Sequence, residues 1–291
     1  MQTKEIKEQR NKIPRKPDWL KIKLPRGFRA EHVVGLINHH GLNTICSSGL
    51  CPNKGECWGR GTATFMIGGN ICTRNCKFCN VKGGKPAPLD EQELKDIAKS
   101  VKELKLKHIV ITSVDRDDLP DYGASHWCKA IALIKDECPS VTMEVLIPDF
   151  RGDEKLIGKI IELQPEVISH NMETVRRLTP EVRSVATYET SLSVIKQISS
   201  AGIRSKSGIM LGLGETEKEI LETMKDLREN GCEVMTIGQY LQPSIKHYPV
   251  KSYITPEKFK EYELIGKEMG FRHVESGPLV RSSYHAEKHV L

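Results

Sequence analysis

Six cysteines stand close together in two groups. Cys46, Cys51 and Cys57 are spaced C-x4-C-x5-C, and Cys72, Cys76 and Cys79 are spaced C-x3-C-x2-C within the run GGNICTRNCKFCNV. Two metal clusters are the simplest reading. An electron-carrying four-iron cluster takes four cysteine thiolates, so a triad leaves one iron without a protein sulfur, free to bind a substrate or a cofactor. Structural zinc would ask for paired C-x2-C or C-x4-C half-sites and four closed ligands, and neither triad has a fourth Cys or His at such spacing. Disulfides fit less well still, because nine cysteines is an odd number and the opening MQTKEIKEQRNK is not followed by the apolar stretch of a signal peptide. The triads are therefore expected to be reduced and ligating. Cys128, Cys138 and Cys232 lie in helix or strand patterns away from them and read as small buried hydrophobes.

The elements that must position these thiols begin at Gly61, where strand-like and helix-like segments start to alternate. Strands are expected at 62–68, 108–114, 141–147, 166–171, 203–211 and 233–238, and helices near 90–105, 124–137, 153–163, 188–200, 215–230 and 256–270, followed by an extended FRHVES. In the first helix Leu94, Ile97, Ala98, Val101 and Leu104 form an i, i+3, i+4 stripe, with Asp90 and Glu93 as a possible capping pair. Gly202 and Gly231 close two of the others. Six strands alternating with helices predict a parallel β/α architecture, since parallel neighbours need a long crossover. A closed eight-unit barrel uses about 250 residues for its eight repeats, so the count here points to a partial (β/α)6 barrel with N-terminal and C-terminal extensions.

In such folds the loops at the strands' C-terminal ends build the ligand site, and the second triad directly follows the first strand. The other strand ends offer Thr112, Ser113 and Asp115, then Glu144, then Asn171 and Glu173, then Lys206 and Ser207 with Gly212, Gly214 and Glu215, and finally Gln239, Tyr240 and Gln242. That polar ring suits a zwitterionic nucleoside, although polar residues at strand ends commonly serve as caps and turns. Gly212-Leu213-Gly214 is not a dinucleotide fingerprint, because it lacks the third glycine and comes at the fifth strand. His170 is the strand-end histidine available for acid–base work or for orienting the site.

Composition sets the outer limits. With 291 residues, 38% hydrophobic and 28% charged, the chain can bury one large α/β core or two modest domains. No apolar run approaches the roughly 18 residues that a membrane span requires, so a cytoplasmic or similarly reducing location is expected. Residues 1–29 carry ten Lys/Arg against three acids, a local balance of +7, which leaves about −1 for the remaining 262. This basic leader is either a solvated face or an arm that steers toward an acidic partner.

The second triad, with aromatic Phe78 between its last two cysteines, resembles the radical S-adenosylmethionine (radical SAM) signature. Further stretches extend the likeness: PDWLK, TICSSGLCPNKGECW, TSVDRDDLPDYGA, EVLIPDFRG, SHNMETV, KSGIMLGLGE, QYLQPS and GPLVRSSYHA. Together they resemble the lipoyl synthase family over about nine tenths of the chain. The resemblance implies a radical SAM sulfurtransferase of lipoate biosynthesis with two 4Fe-4S clusters and SAM as cosubstrate. Cys72, Cys76 and Cys79 would hold the cluster that binds SAM, while Cys46, Cys51 and Cys57 would hold an auxiliary cluster whose fourth ligand is the second serine of RSSY, Ser283. Thr112, Ser113, Asn171, Glu173, Lys206, Gly212, Gly214, Glu215, Gln239 and Tyr240 are the candidate SAM contacts. No side chain is needed as a catalytic acid or base, since clusters and SAM carry the chemistry: two radical events insert sulfur at C6 and C8 of a protein-bound octanoyl chain, with the auxiliary cluster as the sulfur donor.

The implied partners are an octanoylated lipoyl carrier domain (of a 2-oxoacid dehydrogenase E2 or the glycine cleavage H protein), a ferredoxin or flavodoxin donor, and a cluster-delivery protein. No membrane or nucleic acid is expected. Expected domains are the leader 1–29, an extension 30–60 with the auxiliary motif, the barrel 61–270, and a segment 271–291 closing over the auxiliary cluster. A methylthiotransferase would also carry two clusters, but it needs a C-terminal RNA-binding β-domain for which 271–291 is short. A ferredoxin-like carrier or a zinc-stabilised binding module would leave the open triads unexplained.

Overall fold

The computed structural model describes residues 15–22, 28–60 and 62–290. Residues 1–14 and 23–27 of the basic leader therefore lie outside the described residues.

The described residues include nine strands: β1 (Thr64–Ile67), β2 (Ile71–Cys72), β3 (Lys82–Gly83), β4 (His108–Ser113), β5 (Thr142–Leu146), β6 (Val167–Ser169), β7 (Arg204–Leu211), β8 (Val234–Gln239) and β9 (His273–Gly277). Seven form one sheet in the order β1-β4-β5-β6-β7-β8-β9, and every neighbouring pair is parallel. All four residues of β1 and all six of β8 are buried, as expected for parallel strands covered on both faces. Strands β1 and β9 are the two edges of the sheet and do not pair with each other, so the barrel has a lateral gap, and the free edge of β1 is met by an isolated bridge from Thr44 to Phe65. Six β/α units are thus followed by a seventh strand, formed by the extended FRHVES. The short β2–β3 ladder stands apart and frames the second cysteine loop.

The helices are α1 (Phe28–His39), α2 (Ile45–Ser48), α3 (Lys54–Gly59), α4 (Glu91–Glu103), α5 (Ala124–Glu137), α6 (Glu154–Glu162), α7 (Thr179–Val182), α8 (Tyr188–Ser200), α9 (Glu217–Glu229) and α10 (Pro256–Glu268). In α4 the expected stripe of Leu94, Ile97, Ala98 and Val101 is buried. Its cap differs from expectation: Asp90 accepts from Gln92 N, but Glu93 turns away and takes Gly68 N at 2.8 Å and Asn43 Nδ2 at 3.1 Å. The half-buried Glu93 carboxylate thereby ties the turn after β1 to the N-terminal extension. The capping box instead occurs at α9, between Thr216 and Glu219. That helix starts two residues later than expected, because the Glu215 carboxylate folds back onto Gly212 N and Leu213 N.

Helices α1 to α3 were not expected. Ala30, Val33 and Ile37 of α1 are buried in the core with Trp58 of α3, whereas α2 and α3 span four and six residues, too few to show a 3.6-residue period. The chain after β9 runs back along the barrel. Val280, Ala286 and His289 are buried, and a Cβ on Gly238 would lie 2.1 Å from Val280 O. Glycine at the end of β8 is what lets this tail cross.

Candidate active site

Cys72 ends β2, and Cys76 and Cys79 lie in the loop between β2 and β3. Backbone hydrogen bonds anchor that loop from several sides: Thr73 N to Asp115 O, Lys77 N to Val182 O, Tyr248 N to Lys77 O and Gly84 N to Cys72 O. Cys72 Sγ accepts N–H groups from Arg74 at 3.4 Å and Asp115 at 3.3 Å, and Cys76 Sγ lies 3.6 Å from Ser184 Oγ. Burial pushes Cys72 up to about 12, with the Asp115 carboxylate adding to it. Burial likewise pushes Cys79 up to about 11, with Cys76 and Glu173 as negative neighbours. Such crowded thiols are poor free thiolates. They fit an iron cluster, whose positive metal charge stabilises the deprotonated sulfurs.

Inside the C-x3-C spacing sits Arg74, 6% exposed. Its guanidinium makes two bonds to Asp117 (2.7 and 2.9 Å) and two to Asp149 (3.0 and 2.7 Å), and approaches Asp115 at 3.3 Å. Burial alone would raise Asp149, but the Arg74 hydrogen bonds and charge hold it down to about 2. This fork ties the cysteine loop to the ends of β4 and β5. The expectation drawn from sequence missed it; the signal was an arginine inside the cysteine spacing together with aspartates at three strand-end positions.

These elements enclose a cavity of about 480 Å³ at the C-terminal ends of the strands. Of the expected polar ring it gathers Thr112, Ser113, Asn171, Glu173 and Tyr240, together with Asp115, His170, Gln242 and the three cysteines 72, 76 and 79. Asn171 Oδ1 is buried without a hydrogen-bond partner, an acceptor suited to the donor groups of a zwitterionic ligand. Glu173 has φ 69°, and its backbone bridges Gly208 and Met210. Burial raises its carboxyl, opposed by Arg183 and Asn171.

His170 is engaged at both nitrogens. Nδ1 faces Ile147 O at 3.0 Å and Nε2 faces Ser191 Oγ at 2.9 Å, so Nδ1 carries the proton and Nε2 accepts. Burial, aided by the Arg183 charge, pulls it down to about 4. A neutral, fully bonded imidazole orients the wall.

The remaining expected contacts lie outside the cavity wall. Lys206 is inside the barrel, bonded to both Glu144 oxygens at 2.6 and 2.8 Å. Gln239 Nε2 donates to Leu211 O, Tyr240 O and Ser252 O, and its Oε1 accepts from Ile254 N. Gly212, at φ 97°, packs so closely that a Cβ would stand 2.4 Å from Ser252 O. Glu215 staples that same turn, and Gly214 lies against Lys251.

The first triad is held on α2, α3 and the turn between them. Met66 N donates to Asn43 O, and Cys51 N to Cys46 O, at 2.9 and 3.1 Å. Cys46 is buried and its partners are half-buried. Burial and the neighbouring sulfurs raise Cys51 and push Cys57 up to about 11, again a donor set suited to iron. The tail crosses this group: Asn53 Nδ2 donates to Leu279 O at 2.7 Å, and Tyr284 OH to Glu56 on α3 at 3.2 Å. Ser283 Oγ accepts from Thr64 Oγ1 at 2.9 Å. Ile45, Gly49 and Leu50 from this extension, and Arg281 and Ser282 from the tail, line the same cavity as the second triad.

The Radical SAM superfamily model matches residues 66–227. A lipoyl synthase from Treponema denticola is 68% identical over 277 residues, 95% of this chain and 96% of that protein. The chain belongs to the lipoyl synthase family. A mitochondrial lipoyl synthase from Nematostella vectensis is 59% identical over 276 residues, covering 94% of this chain and 95% of that one. Among solved structures, methylornithine synthase aligns with a TM-score of 0.57 at 12% identity, covering 86% of this chain and 83% of its own. An FeFe-hydrogenase maturase aligns with a TM-score of 0.57 at 13% identity over 99% and 76%. These two likenesses support the radical SAM fold alone. Family membership makes the chain a radical SAM sulfur-inserting transferase and implies a 4Fe-4S cluster and SAM. It favours lipoyl synthase over a methylthiotransferase. Among the described residues no helix is long and apolar enough to cross a membrane.

Proposed function

We propose that the chain inserts two sulfur atoms, at C6 and C8, into the octanoyl chain of a lipoyl carrier domain, working at the 480 Å³ cavity lined by the second triad and by the segment that carries the first. The observation that carries this reading is the shared cavity: second-triad cysteines on one wall, the first triad's extension and the Arg281-Ser282 pair on another. Cys72, Cys76 and Cys79 would hold the SAM-binding cluster, and Cys46, Cys51, Cys57 and Ser283 an auxiliary cluster. When bound, these groups supply reductive cleavage of SAM, hydrogen abstraction from the acyl chain and the sulfur that is transferred.

The protein's part is positioning. Asn171 and Glu173 offer a buried acceptor and a carboxyl to the charged end of SAM, while Leu146, Ile147 and Met210 give an apolar stretch of wall suited to an alkyl chain. Arg281 stands within electrostatic reach of both Cys51 and Glu173, a cation between the two halves of the site. Ser283 presents a hard oxygen where a fourth thiolate would hold iron more firmly, which suits a cluster that must give up its sulfur. The carrier would be a 2-oxoacid dehydrogenase E2 domain or a glycine cleavage H protein, the electron source a ferredoxin or flavodoxin, and a cluster-delivery protein would restore the donor. Free thiols in both triads suit a reducing, cytoplasmic setting.

Anaerobic incubation with SAM, a reductant and an octanoyl-lysyl peptide should give a product heavier by two sulfurs, as the dithiol under these reducing conditions. Deoxyadenosine without any sulfur-bearing peptide would refute the reading.

A further inference from the structure

Away from the cysteines, the C-terminal tail brings together a different set of ligating side chains. His273 and Glu275 are two residues apart on β9, so they project from the same face of the strand. The tail returns through the short turn Ala286–Lys288 and lays His289 beside them, with the His273 and His289 ring centroids 4.8 Å apart. One nitrogen from each histidine and one oxygen of Glu275 lie within 4.8 Å of one another. His289 is 1% exposed, and its Nε2 has no hydrogen-bond partner. A buried nitrogen left without a partner is destabilising, and a ligand at that atom would relieve it.

We propose that His273, Glu275 and His289 bind one divalent cation of borderline softness, Zn²⁺ by donor set, which pins the C-terminal tail to β9. Two imidazoles and one carboxylate form a nitrogen-rich set that suits zinc. It offers too few oxygens for Ca²⁺ or Mg²⁺. The fourth position falls to water.

Charged groups flank His289 on its other side. His289 Nδ1 lies 3.8 Å from Glu144 Oε2, too far for a hydrogen bond but near enough for the carboxylate charge to favour a ring proton on that side once Nε2 holds a metal. Lys206 Nζ is 3.0 Å from the same Nδ1. In the metal-free chain it donates there, which places the ring proton on the orphaned Nε2. Metal binding at Nε2 displaces that proton to Nδ1, so Lys206 must turn its N–H away from the ring while keeping its two bonds to Glu144. Because Ser283 lies six residues before His289, the ion would steady the segment that covers the first triad. The site itself is independent of the activity proposed above.

The test uses the holoprotein with its iron–sulfur clusters assembled. Zn²⁺ is titrated against a chromogenic chelator, and zinc and iron are counted in the same sample after desalting. Wild type should retain one zinc per chain with no loss of iron, and its melting temperature should rise with zinc. His273→Ala and Glu275→Ala alter partly exposed side chains and leave the packed core intact. Each should weaken zinc binding by more than about 100-fold, the upper end of what losing an outer-shell partner alone costs, and should abolish the thermal shift. His289→Gln, which keeps the volume, should do the same. No retained zinc, zinc retained equally by the variants, or uptake only as iron departs would each overturn the site and leave a plain network of ion pairs.

Discussion

Around Cys72, Cys76 and Cys79 the chain assembles charge. Arg74, Asp115, Asp117 and Asp149 lock the loop from beneath, and nearby strand ends present Asn171 and Glu173 to the cavity. Around Cys46, Cys51 and Cys57 it assembles cover instead: two short helices sewn to β1, and a C-terminal tail that lays Leu279 to Tyr284 across them. Each triad lacks a fourth thiolate, yet the second opens on a cavity with room for a small molecule, whereas the first lies under a tail that carries Ser283, the hydroxyl we propose as its fourth ligand. The same three-sulfur arrangement can thus be turned toward binding or toward release by what is packed against its open side.

Separating the triads by mutation tests this contrast with the largest effect. Cys72, Cys76 and Cys79 changed together to Ala should leave about four irons per chain and abolish deoxyadenosine formation. The corresponding change at Cys46, Cys51 and Cys57 should preserve deoxyadenosine and eliminate sulfur insertion. Deoxyadenosine surviving in the first variant would dissolve the distinction. Exchanging the covering oxygen sharpens it further: Ser283→Cys should assemble both clusters and cleave SAM while strongly suppressing lipoyl product, and a wild-type yield would remove Ser283 from the argument for release.

Stability distinguishes the two surroundings more gently. Arg74→Ala strands buried carboxylates, and breaking a buried ion pair in this way costs about 3–5 kcal/mol. The denaturant midpoint should fall accordingly, and Arg74→Lys should recover part of it, since an ammonium keeps the charge but lacks the two-pronged fork. An unchanged midpoint in Arg74→Ala would show the clamp to be incidental. The smallest effect expected is a pH dependence from His170. Its folded value is pulled from 6.5 to about 4, so the folded chain resists a proton that the unfolded chain accepts. Stability from this group is complete above about pH 6.5 and is lost progressively as pH falls toward 4, by about 3 kcal/mol in all. Denaturation at pH 7.5 and pH 5 should show the decline, and His170→Gln should flatten it.

Much of this was legible in the residues because it depends on local spacing. The helix at 124–137 and that at 188–200 have the bounds their periodicity predicts, since an amphipathic stripe and a terminating glycine act within a few residues. Cys138 and Cys232 are buried as small hydrophobes, while Cys128 is half-buried. The position of Lys206 was not legible. A lysine on a strand looks like a cavity cation until Glu144, 62 residues away in the chain, is found to take it inside the barrel. Gln239 and Glu215 mislead for a similar reason, because backbone groups exposed by the loops after β7 and β8 claim their side chains.

The sequence by itself determined the chemistry on offer, six thiols in two open triads, and the parallel β/α alternation that puts the second triad at a strand end, because both follow from covalent spacing and short-range periodicity. Tertiary structure alone decided which polar groups face the cavity, that Arg74 joins three distant aspartates, and that the tail lies over the first triad and brings His289 beside His273 and Glu275. Those outcomes depend on contacts between residues far apart in the chain, where burial makes every unpaired charge or polar atom costly, and the partner that satisfies it is set by how the barrel closes around its gap.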